Sequence, residues 1–550
     1  MNADQRPRPA RNQAAQAGHT SGRTAVSVRQ AVFQFLRAFG MTTVFGNPGS
    51  TELRMFRDWP EDFRYVLGLQ ESVVVGMADA YAQVRRAPAL VNLHSAGGVG
   101  HALGSVFTAW RNQTPLVILA GQQTRAMLPT DPFLSARAAV EFPRPYVKWG
   151  IEPGRAEDVP QALAQALYTA LQRPCGPVFV SVPEDDWDAP AAVVEPRQVN
   201  VQFAPDPGAL DRLADALNSS RAPALVLGAA VDQDGAWPLA VQLAERLNAA
   251  VWSSPMAGRR SFPEDHPLFA GFLPPLRQPL ADRLAGHDLV LVIGAPVFTY
   301  HVHVEGQFIS PGTRLFQLTD DAEQAARAPV GTSILCSIQL GMEQLLAQVS
   351  QVQRAAPRPR PRPPVPAASD PIGGEFVMHT LSTTMPADAV IVEEAPSHRN
   401  ALHDYLTIRT SGGFYACASG GLGFGLAAAV GVALADASRK VVAVLGDGSS
   451  LYTIQGLWTA AQHRLPIAFV ILNNSGYGAV KALAARMGVA HMPGSDVTGV
   501  DFCAVARGFG CRAASVVHAA ELAPALLHAY ASSEPCVVEV RMSTSADRLY

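Results

Sequence analysis

Seven short apolar runs, several rich in β-branched residues, punctuate the chain: ALVNLHS (89–95), PLVILAG (115–121), VFVSVP (178–183), ALVLG (224–228), LVLVIG (289–294), VVAVLG (441–446) and IAFVILNN (467–474). None alternates apolar with polar positions as a half-exposed strand does, and Ala/Leu-rich helical stretches alternate with them. This pattern predicts strands of parallel sheets covered by helices on both faces. The expected architecture is α/β, with three doubly wound parallel-sheet domains. Ligands of such sheets sit beyond the carboxyl ends of the strands, which directs attention to the residues just after each run.

Breaks in the pattern divide the chain. Residues 1–23 are polar without apolar periodicity and are expected to form a flexible tail, with folded structure starting near Val26. Around 189–207 a Pro-containing stretch separates strand-like GPVFVSVP from helical ALDRLADALN. In QRAAPRPRPRPPVPAASD (353–370), six prolines between Pro357 and Pro366 forbid helix and favour an extended basic linker. The expected domains are therefore 24–195, 205–350 and 371–550, with the linker over 351–370.

The 550 residues are 48% hydrophobic and 16% charged, a globular composition. Forty-three basic against 46 acidic residues leave a net charge of -3, no surplus for nucleic acid or an anionic membrane. No apolar stretch of about 18 residues appears, and the N-terminus lacks a secretory apolar core, so a cytoplasmic protein is expected. Six scattered cysteines without CxxC spacing are expected to be buried free thiols rather than a zinc site or disulfide framework.

The strongest chemical signal is GDG (446–448) at the end of one predicted strand, followed by Asn473 and Asn474 at the end of another. Asp447 and Asn474 offer hard oxygen atoms suited to a small divalent cation that also grips a diphosphate. Gly448 and Ser449 open the next helix, whose amides favour an anion. Either half alone reads equally well as an ordinary turn. Their combination at two strand ends does not.

That combination resembles the diphosphate motif of thiamine diphosphate-dependent enzymes. FGNPGSTEL (45–53), LQESVVVGMADAYAQ (69–83), NLHSAGGVGHALGS (92–105), GPVFVSVPEDDWD (176–188), LVIGAPVFTYH (291–301), ASGGLGFGLAAAVGV (418–432) and GDGSSLYTIQGLWTAAQ (446–462) extend the resemblance to 2-oxo acid decarboxylases of the benzoylformate decarboxylase type. The resemblance implies a pyrimidine-binding domain, a central domain and a diphosphate-binding domain. It also implies homotetramers with active sites between subunits, thiamine diphosphate, and Mg2+ or Ca2+ held by Asp447, Asn474 and the Gly476 carbonyl.

It further implies that Glu71 faces the aminopyrimidine nitrogen, that Leu422 wedges between the cofactor's rings, and that the Gly420 carbonyl takes the exocyclic amine. Gly448, Ser449, Ser397 and Tyr477 are implied at the cofactor. Ser50, His94 and His301 match the substrate-facing groups, which must bind a carboxylate, protonate an alkoxide and supply a proton after carbon dioxide leaves. Taken singly, Glu71 reads as a helix N-terminal acid. Ser50 reads as a helix cap, with Glu52 too close to complete a capping box. His303 shares one side of an extended segment with His301.

The activity implied is non-oxidative decarboxylation of an aryl or bulky 2-oxo acid to the aldehyde, with carboligation on the side. An acetolactate synthase-like carboligase is the alternative, and it leaves His94 and His301 unexplained. A dinucleotide reading of GGLGFG (420–425) fails, because the glycine spacing is wrong and ACAS, not a strand, precedes it. A catalytically silent paralogue is disfavoured by the joint presence of these residues. Around the acyl side chain, Ala482, Leu483 and Ala416 stand where the family has aromatics, which widens the expected pocket, and Phe133 beside Leu134 is expected on the opposite wall.

Overall fold

A computed structural model describes residues 25–544 and 549, and the tail expected over 1–23 lies outside the described residues. Three six-stranded sheets carry the chain. All seven apolar runs are strands in them, because each is long enough to span a sheet yet offers no polar face to water.

The first sheet runs Arg64–Leu67, Thr43–Gly46, Ala89–Leu93, Leu116–Gln122, Val178–Pro183, Gly150–Ile151, with every neighbouring pair parallel. The last sheet repeats the same order of connection: Phe414–Ala416, Val390–Glu394, Val441–Gly446, Ile467–Asn473, Cys536–Arg541, Arg512–Val516. The central sheet differs. Its first strand, Pro223–Leu227, lies in the middle, and the order reverses between it and Leu289–Ile293. Phe414–Ala416 corrects the expectation that no strand precedes GGLGFG, although Cys417–Ser419 still intervene.

The first and last domains share one hydrophobic core. Its centre is the contact between helix Glu71–Arg85 and helix Phe424–Ala435. The latter is apolar all round, which suits a helix buried between two sheets. Small residues let the two backbones approach. A Cβ on Gly431 would lie 2.1 Å from the Met77 carbonyl oxygen, and one on Gly76 would lie 2.8 Å from Ala427.

The segment 351–369 forms neither helix nor strand. Arg354 ties it down by donating to the carbonyls of Ser220, Leu247 and Leu217, and Arg360 donates to that of His403. The six cysteines are unpaired, five of them buried and Cys175 partly so. Among the described residues no helix is long and apolar enough to cross a membrane.

Candidate active site

Ser50, Glu71 and His94 all follow the carboxyl ends of strands of the first sheet, Thr43–Gly46, Arg64–Leu67 and Ala89–Leu93. His94 precedes helix Ser95–Arg111 without a side-chain bond to its amides, and Glu71 is the first residue of its own helix after the Gln70 cap. A Cβ on Gly98 would touch both Glu71 and His94, so that glycine leaves room between the two side chains. Ser50 opens a short 3-10 turn and is exposed beside Gly49, whose missing side chain leaves room for the His94 ring. The Glu71 carboxylate lies 3.2 Å from His101 Nδ1, a neighbour the sequence reading did not single out.

Glu52 organises this cluster. It is 2% exposed, and its carboxylate accepts the amides of Gly49 at 2.8 Å and Gly121 at 2.9 Å and the Thr51 hydroxyl at 2.7 Å. One oxygen stands 2.9 Å from His94 Nδ1. The hydrogen bond to Glu52 raises the His94 pKa against the opposing effect of burial. With Nδ1 committed to Glu52, Nε2 is the nitrogen free to exchange a proton. The expectation that Glu52 stands too close to serve a cap is corrected: Gly49 is the cap, so Glu52 is the third residue of the turn and reaches back to the Gly49 amide. Ser50 itself caps nothing.

The second cluster lies at the carboxyl ends of three adjacent strands of the last sheet, Val390–Glu394, Val441–Gly446 and Ile467–Asn473. Asp447 is 2% exposed; one carboxylate oxygen accepts the Gly448 amide at 2.7 Å and the other the Gly476 amide at 2.9 Å. Burial pushes its pKa up, with those amides pulling the other way. The Tyr477 ring packs against Gly448, where a Cβ would lie 2.5 Å from it. Ser397 accepts the Ala479 amide at 2.9 Å, and both Ser397 and Asn474 crowd Gly478. Buried Ser449 stands by Gly446, and the Gly476 carbonyl accepts the Gly478 amide at 3.0 Å. Asp447, Asn474, Gly476, Gly448, Ser449, Ser397 and Tyr477 are thus brought together. Among the described residues no three His, Cys, Asp or Glu side chains form a metal cluster. The oxygens gathered here come from one carboxylate, one amide and one backbone carbonyl.

Gly420 and Leu422 lie in the loop before helix Phe424–Ala435. Glu394 anchors that loop from below, accepting the amides of Gly423, Phe424 and Gly425 at 2.8, 3.1 and 3.0 Å. Burial pushes the Glu394 carboxyl up to about 8, opposed by those three donors. No local pattern around Glu394 signals this role, because its partners are 29 to 31 residues away.

Glu71 and the Gly420 loop meet the same helix at different points. Glu71 meets helix Ser95–Arg111 at Gly98 and His101, whereas Ser419 meets the same helix at Thr108. Seven residues of helix put the Gly420 loop about 10 Å from Glu71 along its axis. His301 lies in an exposed loop of the central domain, its amide donating to the Pro275 carbonyl, and no hydrogen bond joins it to Ser50, Glu71 or His94. His303 pairs with Glu305 at 3.0 Å in the same loop. Of the residues expected around an acyl pocket, Leu134 is tied to Ser95, next to His94, by a 2.6 Å hydrogen bond, and Phe133 is 86% exposed. Ala482 and Leu483 are half-buried on helix Gly478–Arg486. Ala416 instead sits in the core of the last domain, its amide donating to Gly258.

Comparison with known proteins matches three thiamine pyrophosphate enzyme models: the N-terminal TPP binding domain over residues 26–139, the central domain over 210–345 and the C-terminal TPP binding domain over 395–540. A benzoylformate decarboxylase of Pseudomonas aeruginosa is 46% identical over 523 residues, 94% of this chain and 99% of the relative. The crystal structure of benzoylformate decarboxylase from Polynucleobacter necessarius superposes with a TM-score of 0.93 at 39% identity, over 95% of this chain and 99% of that one. A thiamine diphosphate-dependent 4-hydroxybenzoylformate decarboxylase from Rhodococcus jostii RHA1 gives 0.92 at 40% identity, over 95% and 100%. The acetolactate synthase isozyme 1 large subunit of Escherichia coli K12 is more distant, at 26% identity over 96% of each chain.

Proposed function

The chain belongs to the thiamine pyrophosphate enzyme family, and we propose that it decarboxylates an aryl or bulky 2-oxo acid such as benzoylformate, non-oxidatively, to the aldehyde and carbon dioxide. The observation that carries this reading is the cluster of Ser50, Glu71 and Glu52-held His94 at one sheet edge. It offers a hydroxyl donor and an imidazole at the same end of the sheet as the carboxylate expected at the cofactor. An acetolactate synthase-like ligase gives this histidine no task. Carboligation is a side activity of the same site.

The residues around Asp447 fit thiamine diphosphate held through Mg2+ or Ca2+. A carboxylate 2% exposed, bonded only to amides and paired with no cationic side chain among the described residues, suits a hard divalent cation. Asp447, Asn474 and the Gly476 carbonyl would hold the cation, Gly448 and Ser449 the diphosphate, and Ser397 and Tyr477 would flank it. When bound, the cofactor supplies the carbanion and the electron sink that decarboxylation requires.

The chain's own groups do the rest. With the cofactor bound, Glu71 would be the proton-exchanging carboxyl beside its aminopyrimidine ring, and the Gly420 carbonyl and the Leu422 side chain would hold that part of it. Ser50 donates to the substrate carboxylate, and His94 Nε2 gives a proton to the developing alkoxide. His301 is assigned the later proton delivery. The active sites are placed between subunits, within a homotetramer, as the family resemblance implies. Leu53 and Phe133 of the first domain and Tyr452 and Met487 of the last are exposed apolar or aromatic side chains.

The test is titration of cofactor-free protein with thiamine diphosphate and Mg2+, following binding and the carbon dioxide released from benzoylformate. The reading requires saturable activation by both. Tight binding without carbon dioxide from any 2-oxo acid contradicts it.

A further inference from the structure

Asp79 is a carboxylate that the proposed reaction does not use. It lies on helix Glu71–Arg85, about two turns beyond Glu71, and is fully buried. Its partners are neutral: it accepts the Thr114 hydroxyl at 2.5 Å and the side-chain amides of Gln83 and Asn112, each at 2.8 Å. Burial pushes its carboxyl up to about 6, against the pull of those three donors and of Arg259, which is itself paired with Asp232 at 3.0 Å. A buried carboxylate without a cation of its own is costly. What it secures in return is the orientation of one neighbouring amide.

That amide is Asn112, 5% exposed at the end of helix Ser95–Arg111. Its Nδ2 donates to Asp79, while its Oδ1 accepts the Ala418 amide at 3.0 Å. Neither partner tolerates the opposite orientation, because an ionised carboxylate only accepts and a backbone N–H only donates. Asp79 therefore decides which way Asn112 faces. The Asn112 backbone is held as well, its carbonyl accepting Gln233 of the central domain at 2.8 Å.

Ala418 lies in the loop between strand Phe414–Ala416 and helix Phe424–Ala435, the loop that carries Gly420 and Leu422. Its neighbour Ser419 stands 2.9 Å from the Thr108 hydroxyl and accepts the Gly421 amide at 3.0 Å. At the far end Glu394 takes the amides of Gly423, Phe424 and Gly425. Gly420 and Leu422 are thus strung between two anchors, and Gly420 takes the turn with φ +76°. We infer that Asp79 and Asn112 are positioning residues for the cofactor, Asp79 orienting the Asn112 amide and Asn112 fixing the loop that presents the Gly420 carbonyl and Leu422. The inference rests on the assignment of that loop to thiamine diphosphate.

The test titrates cofactor-free protein with thiamine diphosphate at saturating Mg2+ and reads the dissociation constant across a range of pH. Asn112→Asp sets a second carboxylate against Asp79. At low pH the pair shares a proton and keeps the link, and as pH rises it ionises and repels. Relative to the parent, affinity should therefore fall with rising pH, by about tenfold or more at the alkaline end. The double variant Asp79→Asn with Asn112→Asp exchanges the two groups, so that one donor again faces one acceptor and the Ala418 amide keeps its oxygen. It should bind as the parent does at every pH. Should Asn112→Asp alone fail to fold, the double variant decides, since it must both fold and bind. A parent that does not bind thiamine diphosphate overturns the proposed function and this inference with it. With a parent that binds, an Asn112→Asp protein of equal affinity at every pH, or a double variant that fails to fold or binds no better than Asn112→Asp, overturns this inference alone.

Discussion

The Glu52 carboxylate accepts the amides of Gly49 and Gly121 as well as meeting His94, so it is fixed in place. Its hydrogen bond raises the His94 pKa, which means the protonated ring persists to higher pH and is lost as pH rises through that raised value. In Glu52→Gln the limb on which kcat falls with rising pH should therefore move to lower pH, with cofactor affinity unchanged. A profile that stays where the parent's lies removes Glu52 from this role. His94→Ala should slow turnover by about 100- to 10,000-fold, the range of a positioned acid, as measured in steady-state kinetics. Glu71→Gln should still bind thiamine diphosphate yet lose most activity, because an amide hydrogen-bonds but does not exchange a proton. Asp447 and Asn474 are legible from sequence because a strand end and a helix start enforce a fixed local spacing. The role of Glu52 differs from the sequence expectation because a 3-10 turn shifts the cap by one residue, to Gly49. Glu394 is silent in sequence, because it acts across a helix and a strand on amides that any residue supplies.

Among the elements, buried central strands are the legible ones. VFVSVP and VVAVLG coincide with Val178–Pro183 and Val441–Gly446, and the others differ by one or two residues where a turn takes over. Edge strands such as Arg64–Leu67 and Gly150–Ile151 escape because they are short and carry less apolar surface. Cys536–Arg541 escapes because Glu539 interrupts its apolar run, although that carboxylate is buried and accepts from Asn473 at 2.6 Å. The pairing of helices Glu71–Arg85 and Phe424–Ala435 depends on Gly431, whose Cβ position is blocked by backbone that cannot rotate away. Gly431→Ala should cost about 1–3 kcal/mol, as overpacking of a tight core does, and lower the thermal unfolding midpoint. An unchanged midpoint would show that the two helices separate freely.

At the scale of the whole molecule, the first and last sheets share one order of connection, and each presents its functional residues at the carboxyl ends of its strands. The proposed sharing of each active site between subunits has a direct consequence. Glu71→Gln and Asp447→Ala proteins, each inactive alone, should regain part of the parent activity when refolded together, because a hybrid pair contains one site with neither change. Failure to regain any, with mixed oligomers demonstrated, places both halves of the site in one chain. The central claim is the reaction itself, and comparison of kcat/KM for benzoylformate and pyruvate tests it most directly. A phenyl group fills an apolar pocket that a methyl group leaves largely empty, and each missing methylene forfeits about 0.8 kcal/mol. Benzoylformate should therefore be preferred by orders of magnitude and yield benzaldehyde with carbon dioxide. A clear preference for pyruvate, with acetolactate as the product, would contradict the account.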